Sequence, residues 1–92
     1  MKLETEAIYK KALIKWGIDT QILMAAEELG ELQHECFKIL RGKGDKTDSL
    51  AEEIADVEIM LAQLKIIFDF KRKVARFKHQ KLLNLQELLR ET

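Results

Sequence analysis

The sequence contains no proline, only four glycines and a single cysteine, and it has no apolar run long enough to span a bilayer. With so few helix-breaking residues, we expect long helices joined by few turns. The lone Cys36 excludes a disulfide within the chain and is typical of a reducing cytoplasm. We find no signal peptide, and the 16 basic residues balance 16 acids. The net charge is therefore zero and favours neither nucleic acid nor a membrane as a partner. We expect a cytoplasmic protein without those partners.

Apolar residues recur at helical spacing and predict an all-α fold in one domain, residues 1–92. Gly17 is the expected end of the first helix, and Asp19 or Thr20 the expected cap of the second. A chain this short buries a modest core, so we expect an antiparallel four-helix bundle that a homodimer or homotetramer completes. The four helices are expected near residues 3–16, 19–41, 48–68 and 70–90.

Two acidic motifs dominate the pattern, Glu27-Glu28-Leu29-Gly30-Glu31 and Glu52-Glu53-Ile54-Ala55-Asp56. Each holds carboxylates three residues apart, which are neighbours on a helix surface at roughly 5–6 Å between Cβ atoms. Both pairs border apolar stripes, where unpaired carboxylates are costly. Because like charges repel and Mg²⁺ prefers hard oxygen ligands, the pairs predict a divalent-cation site. A solvated acidic face is the alternative.

Lys81 interrupts the apolar stripe of the fourth helix, where a leucine would be expected. Either its aliphatic part lies on the apolar surface with the ammonium group in water, or the ammonium group meets an anion such as a phosphate. Arg41, Lys43 and Lys46 flank the glycine break between the acidic motifs and could bind a polyphosphate. The Gly-Lys-Gly segment lacks the pattern of a Walker loop.

Other polar and aromatic residues carry weaker signals. Trp16 could stack on a base, although its place on an apolar stripe favours the core. Gln21 could hydrogen-bond a base or simply begin a helix. Glu31-Leu32-Gln33-His34 matches half of a di-iron site, but a second such motif is absent, so we interpret His34 and His79 as surface residues.

Taken together, the motifs resemble the MazG-like all-α nucleoside triphosphate pyrophosphohydrolases, in particular short single-domain, phage-encoded members. Glu27-Glu28-x-x-Glu31 followed by Glu53-x-x-Asp56 carries most of the resemblance, which covers most of residues 13–85. The basic segment near the C-terminus differs at Asn84, where an arginine is expected. Further matching segments are Trp16-Gly17, Gln21, Arg41-Gly42-Lys43 and Lys81-Leu82-Leu83-Asn84-Leu85.

The resemblance implies hydrolysis of a nucleoside triphosphate, ribo or deoxy, to the monophosphate and pyrophosphate with Mg²⁺, or with Mn²⁺ as the alternative ion. It also implies dimers or tetramers whose active sites use helices of neighbouring subunits. The implied metal ligands are Glu28, Glu31, Glu53 and Asp56. The implied groups around them are Glu27 and Glu52, as supports for the ligands or a base for water, Lys81 as a catalytic and phosphate-binding cation, and Trp16, Gln21, Arg41 and Lys43 as further substrate contacts.

Three other functions remain open on the residues alone. The chain could be a non-catalytic helical oligomer whose acids are solvated, or a carboxylate-bridged di-iron protein. It could also be a regulatory nucleotide binder that keeps the MazG-like fold without its activity. No residue indicates which base or sugar would be preferred.

Overall fold

The computed structural model of the chain describes residues 4–43 and 48–91, and these residues form four α-helices and no strand. The all-α prediction is confirmed. Wherever the structure describes a predicted helix end, the observed end lies within one residue of it. The expected start of the first helix at Leu3 lies outside the described residues. The helices are α1 (Thr5–Trp16), α2 (Ile18–Leu40), α3 (Asp48–Ile67) and α4 (Lys71–Arg90).

A single glycine separates α1 from α2. Gly17 has φ 85° and its amide donates to the Leu13 carbonyl, which closes α1 as expected. The same glycine is the N-terminal cap of α2 and makes no side-chain cap hydrogen bond. The expectation of an Asp19 or Thr20 cap is therefore wrong, because α2 already begins at Ile18. Asp19 instead lies in the first turn, where its negative charge interacts favourably with the positive end of the helix dipole.

Helices α2 and α3 end with one shared turn geometry. At the end of α2, Gly42 has φ 73°, and the Lys43 amide donates to the Lys38 carbonyl at 2.8 Å. At the end of α3, Asp69 has φ 55°, and the Phe70 amide donates to the Lys65 carbonyl at 2.9 Å. A left-handed residue followed by this six-to-one hydrogen bond stops a helix within one turn. Aspartate tolerates that conformation better than most residues, so Asp69 ends α3 without a glycine.

The main packing contact joins α2 to α3, and α1 lies against both helices. Ala25, Val57 and Met60 form its buried apolar part. Beside them the Gln63 Nε2 donates to the Gln21 Oε1 at 3.0 Å, and both side chains are buried. A buried amide pair ties the two helices at one register, since neither polar group reaches water there.

Helix α4 contacts α3 alone among the helices, and every residue of α4 is exposed. The apolar stripe that the sequence predicts for this helix is therefore uncovered within one chain. No helix in the described ranges is both long and apolar enough to cross a membrane.

The amide pair leads to a stability prediction. We expect Gln63→Leu to lower the free energy of unfolding by about 1–3 kcal/mol, because Gln21 loses its buried partner. The double variant Gln21→Leu/Gln63→Leu should lose less than the sum of the two single variants, since no polar atom is left behind. Urea unfolding at one fixed protein concentration measures all four proteins. Strictly additive losses would contradict a coupled pair.

Candidate metal centre

Carboxylates from two helices converge at one place on the α2–α3 contact. Glu28 of α2 and Glu53 and Asp56 of α3 each present an oxygen atom, and the three oxygens lie within 4.8 Å of one another. The spacing of three residues places Glu53 and Asp56 on the same side of α3, one turn apart. Glu28 and Glu53 are partly buried. The structure thus gathers three of the four carboxylates that the sequence predicts as metal ligands.

Glu53 is the most strongly perturbed of these acids. Its Oε1 atom is buried and has no hydrogen-bond partner. A hydrogen bond with the Glu28 side chain is the main reason that the pKa of Glu53 is raised from 4.5 to about 7. Desolvation raises it further, as do the negative charges of Glu28, Asp56 and Glu31. Two carboxylates can share a hydrogen bond only when one of them carries a proton. The hydrogen bond between Glu28 and Glu53 therefore requires a proton when no metal cation is bound.

Glu31 lies at the edge of the carboxylate group. Its side chain is exposed, and it is not among the three acids that share the 4.8 Å distance. Its charge nevertheless helps to raise the pKa of Glu53, which places it in electrostatic range. Glu27 and Glu52, the expected supports or base, are both exposed to solvent.

A neighbouring acid one turn beyond Glu31 has its own cation. Lys38 Nζ donates to Glu35 Oε1 at 3.2 Å, while the second oxygen of Glu35 is buried without a partner. This pair distinguishes Glu35 from the three gathered acids, because no ion pair is found for Glu28, Glu53 or Asp56 among the described residues. Within the described residues, no ion pair therefore offsets the repulsion among these three carboxylates.

Two candidates for substrate contact have environments that differ from those expected. Trp16 is 51% exposed, with Lys15 Nζ 5.3 Å from its ring centroid, so the prediction that it belongs to the core is wrong. It is the last residue of α1, where only part of the ring can reach a neighbouring helix. Gln21 is 1% exposed and hydrogen-bonded to Gln63, so its amide does not face solvent in this arrangement.

The basic candidates that the structure describes lie on the surface. Arg41 and Lys43 are exposed at the end of α2, and Lys46 lies outside the described residues. Lys81 is exposed on α4, which does not contact α2, so its own chain does not bring it to the carboxylates by helix packing. The surface assignment of the two histidines, His34 and His79, is confirmed.

Sequence reasoning missed the role of Gln63. A signal was present, because Gln63 follows Met60 by three residues and Val57 by six and so lies on the buried side of α3. A glutamine at such a position requires a partner, and Gln21 occupies a similar place near the start of α2. The pairing of Gln63 with Gln21 could not be predicted from the sequence, because it depends on the register of α2 against α3.

Concave surfaces do not coincide with the carboxylates. A shallow cleft of about 440 Å³ lies between α1, α3 and the start of α4, and a second of the same volume runs along α4. Glu28, Glu53 and Asp56 line neither cleft. The carboxylates, unlike these two clefts, place converging charges around one point.

Comparison of the chain with models of known families, with curated proteins and with solved structures found no match. The resemblance to the MazG-like enzymes therefore rests on the motifs and their spacing.

The raised pKa of Glu53 leads to a prediction about stability and pH. Between about pH 4.5 and about pH 7 the folded protein holds a proton on Glu53 that the unfolded chain releases. The folded state then binds more protons, so the free energy of unfolding falls as the pH rises through this interval. We expect Glu53→Gln to remove this fall, measured by urea unfolding in a metal chelator.

The matched control is Glu58→Gln, which removes an exposed acid from the same helix and should keep the wild-type pH dependence. Parallel pH profiles for wild type, Glu53→Gln and Glu58→Gln would show that Glu53 titrates normally and would contradict the prediction.

Proposed function

We propose that this protein is a Mg²⁺-dependent nucleoside triphosphate pyrophosphohydrolase. The observation that carries the proposal is the convergence of Glu28, Glu53 and Asp56 within 4.8 Å, with no ion pair to any of them among residues 4–43 and 48–91. The order and spacing of the acidic motifs, which resemble those of the MazG-like enzymes, supply the reaction class. The substrate is a triphosphate, with base and sugar left open.

The donor set fits the proposed ion. Carboxylate oxygens are the hard ligands that Mg²⁺ prefers, and Mg²⁺ commonly uses a few carboxylates together with substrate phosphates. The buried, unpartnered Oε1 of Glu53 is the kind of atom that a bound cation stabilises. Glu28, Glu53 and Asp56 would hold the ion, and Glu31 at the edge would add a fourth carboxylate. Mn²⁺ suits the same ligands.

When bound, Mg²⁺ would neutralise the triphosphate and activate water for attack. The remaining functions fall to the chain itself. Glu53 must release its proton before it can act as a ligand, so binding of the ion should release protons near neutral pH. The exposed Glu27 and Glu52 adjoin the ligands in sequence and are proposed to hydrogen-bond them or to accept a proton from water. Water would add to the α-phosphorus, the bond from that phosphorus to the α–β bridging oxygen would break, and pyrophosphate would leave.

The arrangement of helices is consistent with such a site. The Gln21–Gln63 bond joins the start of α2 to the end of α3, whereas Glu28 meets Glu53 near the start of α3. We infer that α2 and α3 run antiparallel, which lets both acidic motifs face the same place. We also infer a homodimer or homotetramer, because the carboxylates of one chain do not line the clefts described along α1 and α4.

A di-iron centre is less well supported by the site. Such centres in helical bundles use a Glu-x-x-His motif on each of two helices. His34 is exposed and does not belong to the carboxylate group. A solvated, non-catalytic acidic face remains the competing interpretation, and it predicts no effect of Mg²⁺.

The decisive test joins activity to metal binding. We expect wild-type protein to release pyrophosphate from some members of a panel of NTPs and dNTPs, with Mg²⁺ and not in chelator. Glu53→Gln should lose more than the roughly 10–100-fold that is typical when a group supporting a metal ligand is removed. Calorimetric titration of Mg²⁺ with a non-hydrolysable nucleotide present should show weakened metal binding for the same variant.

Glu58→Gln is the control for both measurements, since it removes an equal charge from an exposed position of α3. If wild type and Glu53→Gln bind Mg²⁺ equally well, the proposed ligand set is wrong. Metal and nucleotide binding without pyrophosphate release would instead indicate a regulatory nucleotide binder.

Lys81 provides a separate prediction. We propose that its ammonium group contacts a substrate phosphate held at the carboxylates of a neighbouring chain, because α4 does not contact α2 in its own chain. Lys81→Met should keep or raise stability, since the methionine suits the apolar stripe, while nucleotide binding weakens. Titration of a non-hydrolysable nucleotide in the presence of Mg²⁺ measures the effect. Unchanged affinity and turnover would leave Lys81 as a surface lysine.

A further inference from the structure

The cleft between α1, the end of α3 and the start of α4 combines apolar and charged side chains. Its volume of about 440 Å³ is within the roughly 300–1,000 Å³ that is usual for small-molecule sites. Tyr9, Ala62 and Ile66 are half-buried and line it with apolar surface. Lys65, which also lines the cleft, follows Asp56 along α3 with a rise of about 13.5 Å. The cleft is therefore separate from the proposed metal centre.

Two lysines of this cleft have no acidic partner. Lys65 is half-buried and Lys71 is exposed, and neither forms an ion pair with any residue in the ranges 4–43 and 48–91. A partly desolvated ammonium group without a counterion is costly, so Lys65 favours an anion beside it. The hydroxyl of Tyr9 likewise has no hydrogen bond to a protein group in those ranges. Three polar groups of one cleft are thus available to a ligand.

Acids of the cleft reduce its positive charge without cancelling it. Glu6 and Lys10 both line the cleft, and their side chains pair with each other at 3.8 Å. Asp69 also lines it, but among the described residues no ion pair joins Asp69 to Lys65 or Lys71. The three lysines and two acids of the lining leave a net charge of +1. The side chains therefore favour an anionic ligand over a cationic one.

Backbone polarity favours an anion at the same place. The first turns of α1 and α4 both border the cleft, through Thr5 and Lys71, and neither helix has a side-chain cap hydrogen bond. The positive ends of two helix dipoles therefore lie at the cleft. The last turn of α3 has the opposite polarity, but the Phe70 amide already donates to the Lys65 carbonyl there. Two helix N-termini beside two lysines suit the oxygens of a phosphate group.

We propose that this cleft binds a small phosphate monoester whose phosphate group is attached to an apolar ring. The ring packs against Tyr9, Ala62 and Ile66, and the phosphate group contacts Lys65 and Lys71. A neutral ring or a bare inorganic ion uses only one of these two parts of the cleft. The proposal does not depend on the proposed hydrolysis, because it concerns other residues and is tested without metal or nucleoside triphosphate.

The only tyrosine of the chain provides a probe inside the cleft. Protein labelled with fluorotyrosine carries fluorine at Tyr9 alone, so fluorine NMR reports on this cleft. In a metal chelator, we expect phenyl phosphate to shift the fluorine signal until it saturates. Phenol and inorganic phosphate should each need about ten-fold higher concentration or more for half-saturation. Raised salt should weaken the binding of phenyl phosphate and leave that of phenol unchanged.

Substitution of the lysines tests the contact with the phosphate group. Lys65→Met should raise the dissociation constant of phenyl phosphate about ten-fold or more, because it removes a charge-assisted hydrogen bond. Lys71→Gln changes an exposed position, should also weaken binding, and keeps the test valid should Lys65→Met fail to fold. Lys78→Met is the matched control, since Lys78 is exposed on α4 and does not line this cleft. Circular dichroism of each variant shows whether its helices are retained.

Four results would overturn the proposal. The first is a fluorine signal that phenyl phosphate does not shift in a saturable manner. The second and third are equal affinities for phenyl phosphate and phenol, or for phenyl phosphate and inorganic phosphate, since either would show that one part of the cleft is not used. The fourth is weakening by Lys78→Met that equals the weakening by Lys65→Met or Lys71→Gln, because the lysines of the cleft would then have no special role.

Discussion

Repulsion among the carboxylates of α2 and α3 is the constraint on which the rest of the molecule depends. Glu28, Glu53 and Asp56 lie within 4.8 Å of one another at the contact that also contains the apolar core. A helix pair can tolerate such a group only if a cation or a proton offsets the charge. With its pKa raised to about 7, Glu53 can carry such a proton below neutral pH. A divalent ion would do so more effectively and would release that proton.

The Gln21–Gln63 hydrogen bond joins the same two helices that this repulsion would separate. It lies in the same α2–α3 contact, with both side chains buried, while the buried apolar residues within the described part of the chain are Ala25, Val57 and Met60. A core of this size gives little excess stability. Closing the contact therefore depends on the amide pair, on compensation of the acids and, in our proposal, on surface covered by a second chain. These contributions are coupled, since each favours the same approach of α2 to α3.

Helix positions could be predicted from the sequence because they depend on local physics. Apolar spacing, the absence of proline and the turn residues at positions 17 and 42 give the helix bounds to within one residue wherever they are described. The meeting of Glu28 with Glu53 and Asp56 followed from the spacing and the apolar neighbours. Trp16 and Gln21 could not be placed in this way. Their burial depends on how far α1 extends beyond its contacts and on which residue of α3 faces α2, and both are set by tertiary register.

The turn between α3 and α4 explains why the acids keep their charge unpaired. Asp69 takes a left-handed conformation, and the rings of Phe68 and Phe70 stack at 5.4 Å, so α4 leaves α3 through a short, ordered turn. In this arrangement α4 contacts α3 and not α2. Had α4 folded back over its own α2, its lysines would have lain beside Glu28 and competed with any divalent ion. The turn instead directs α4 away from α2, so that the lysines of α4 do not pack beside Glu28 within their own chain.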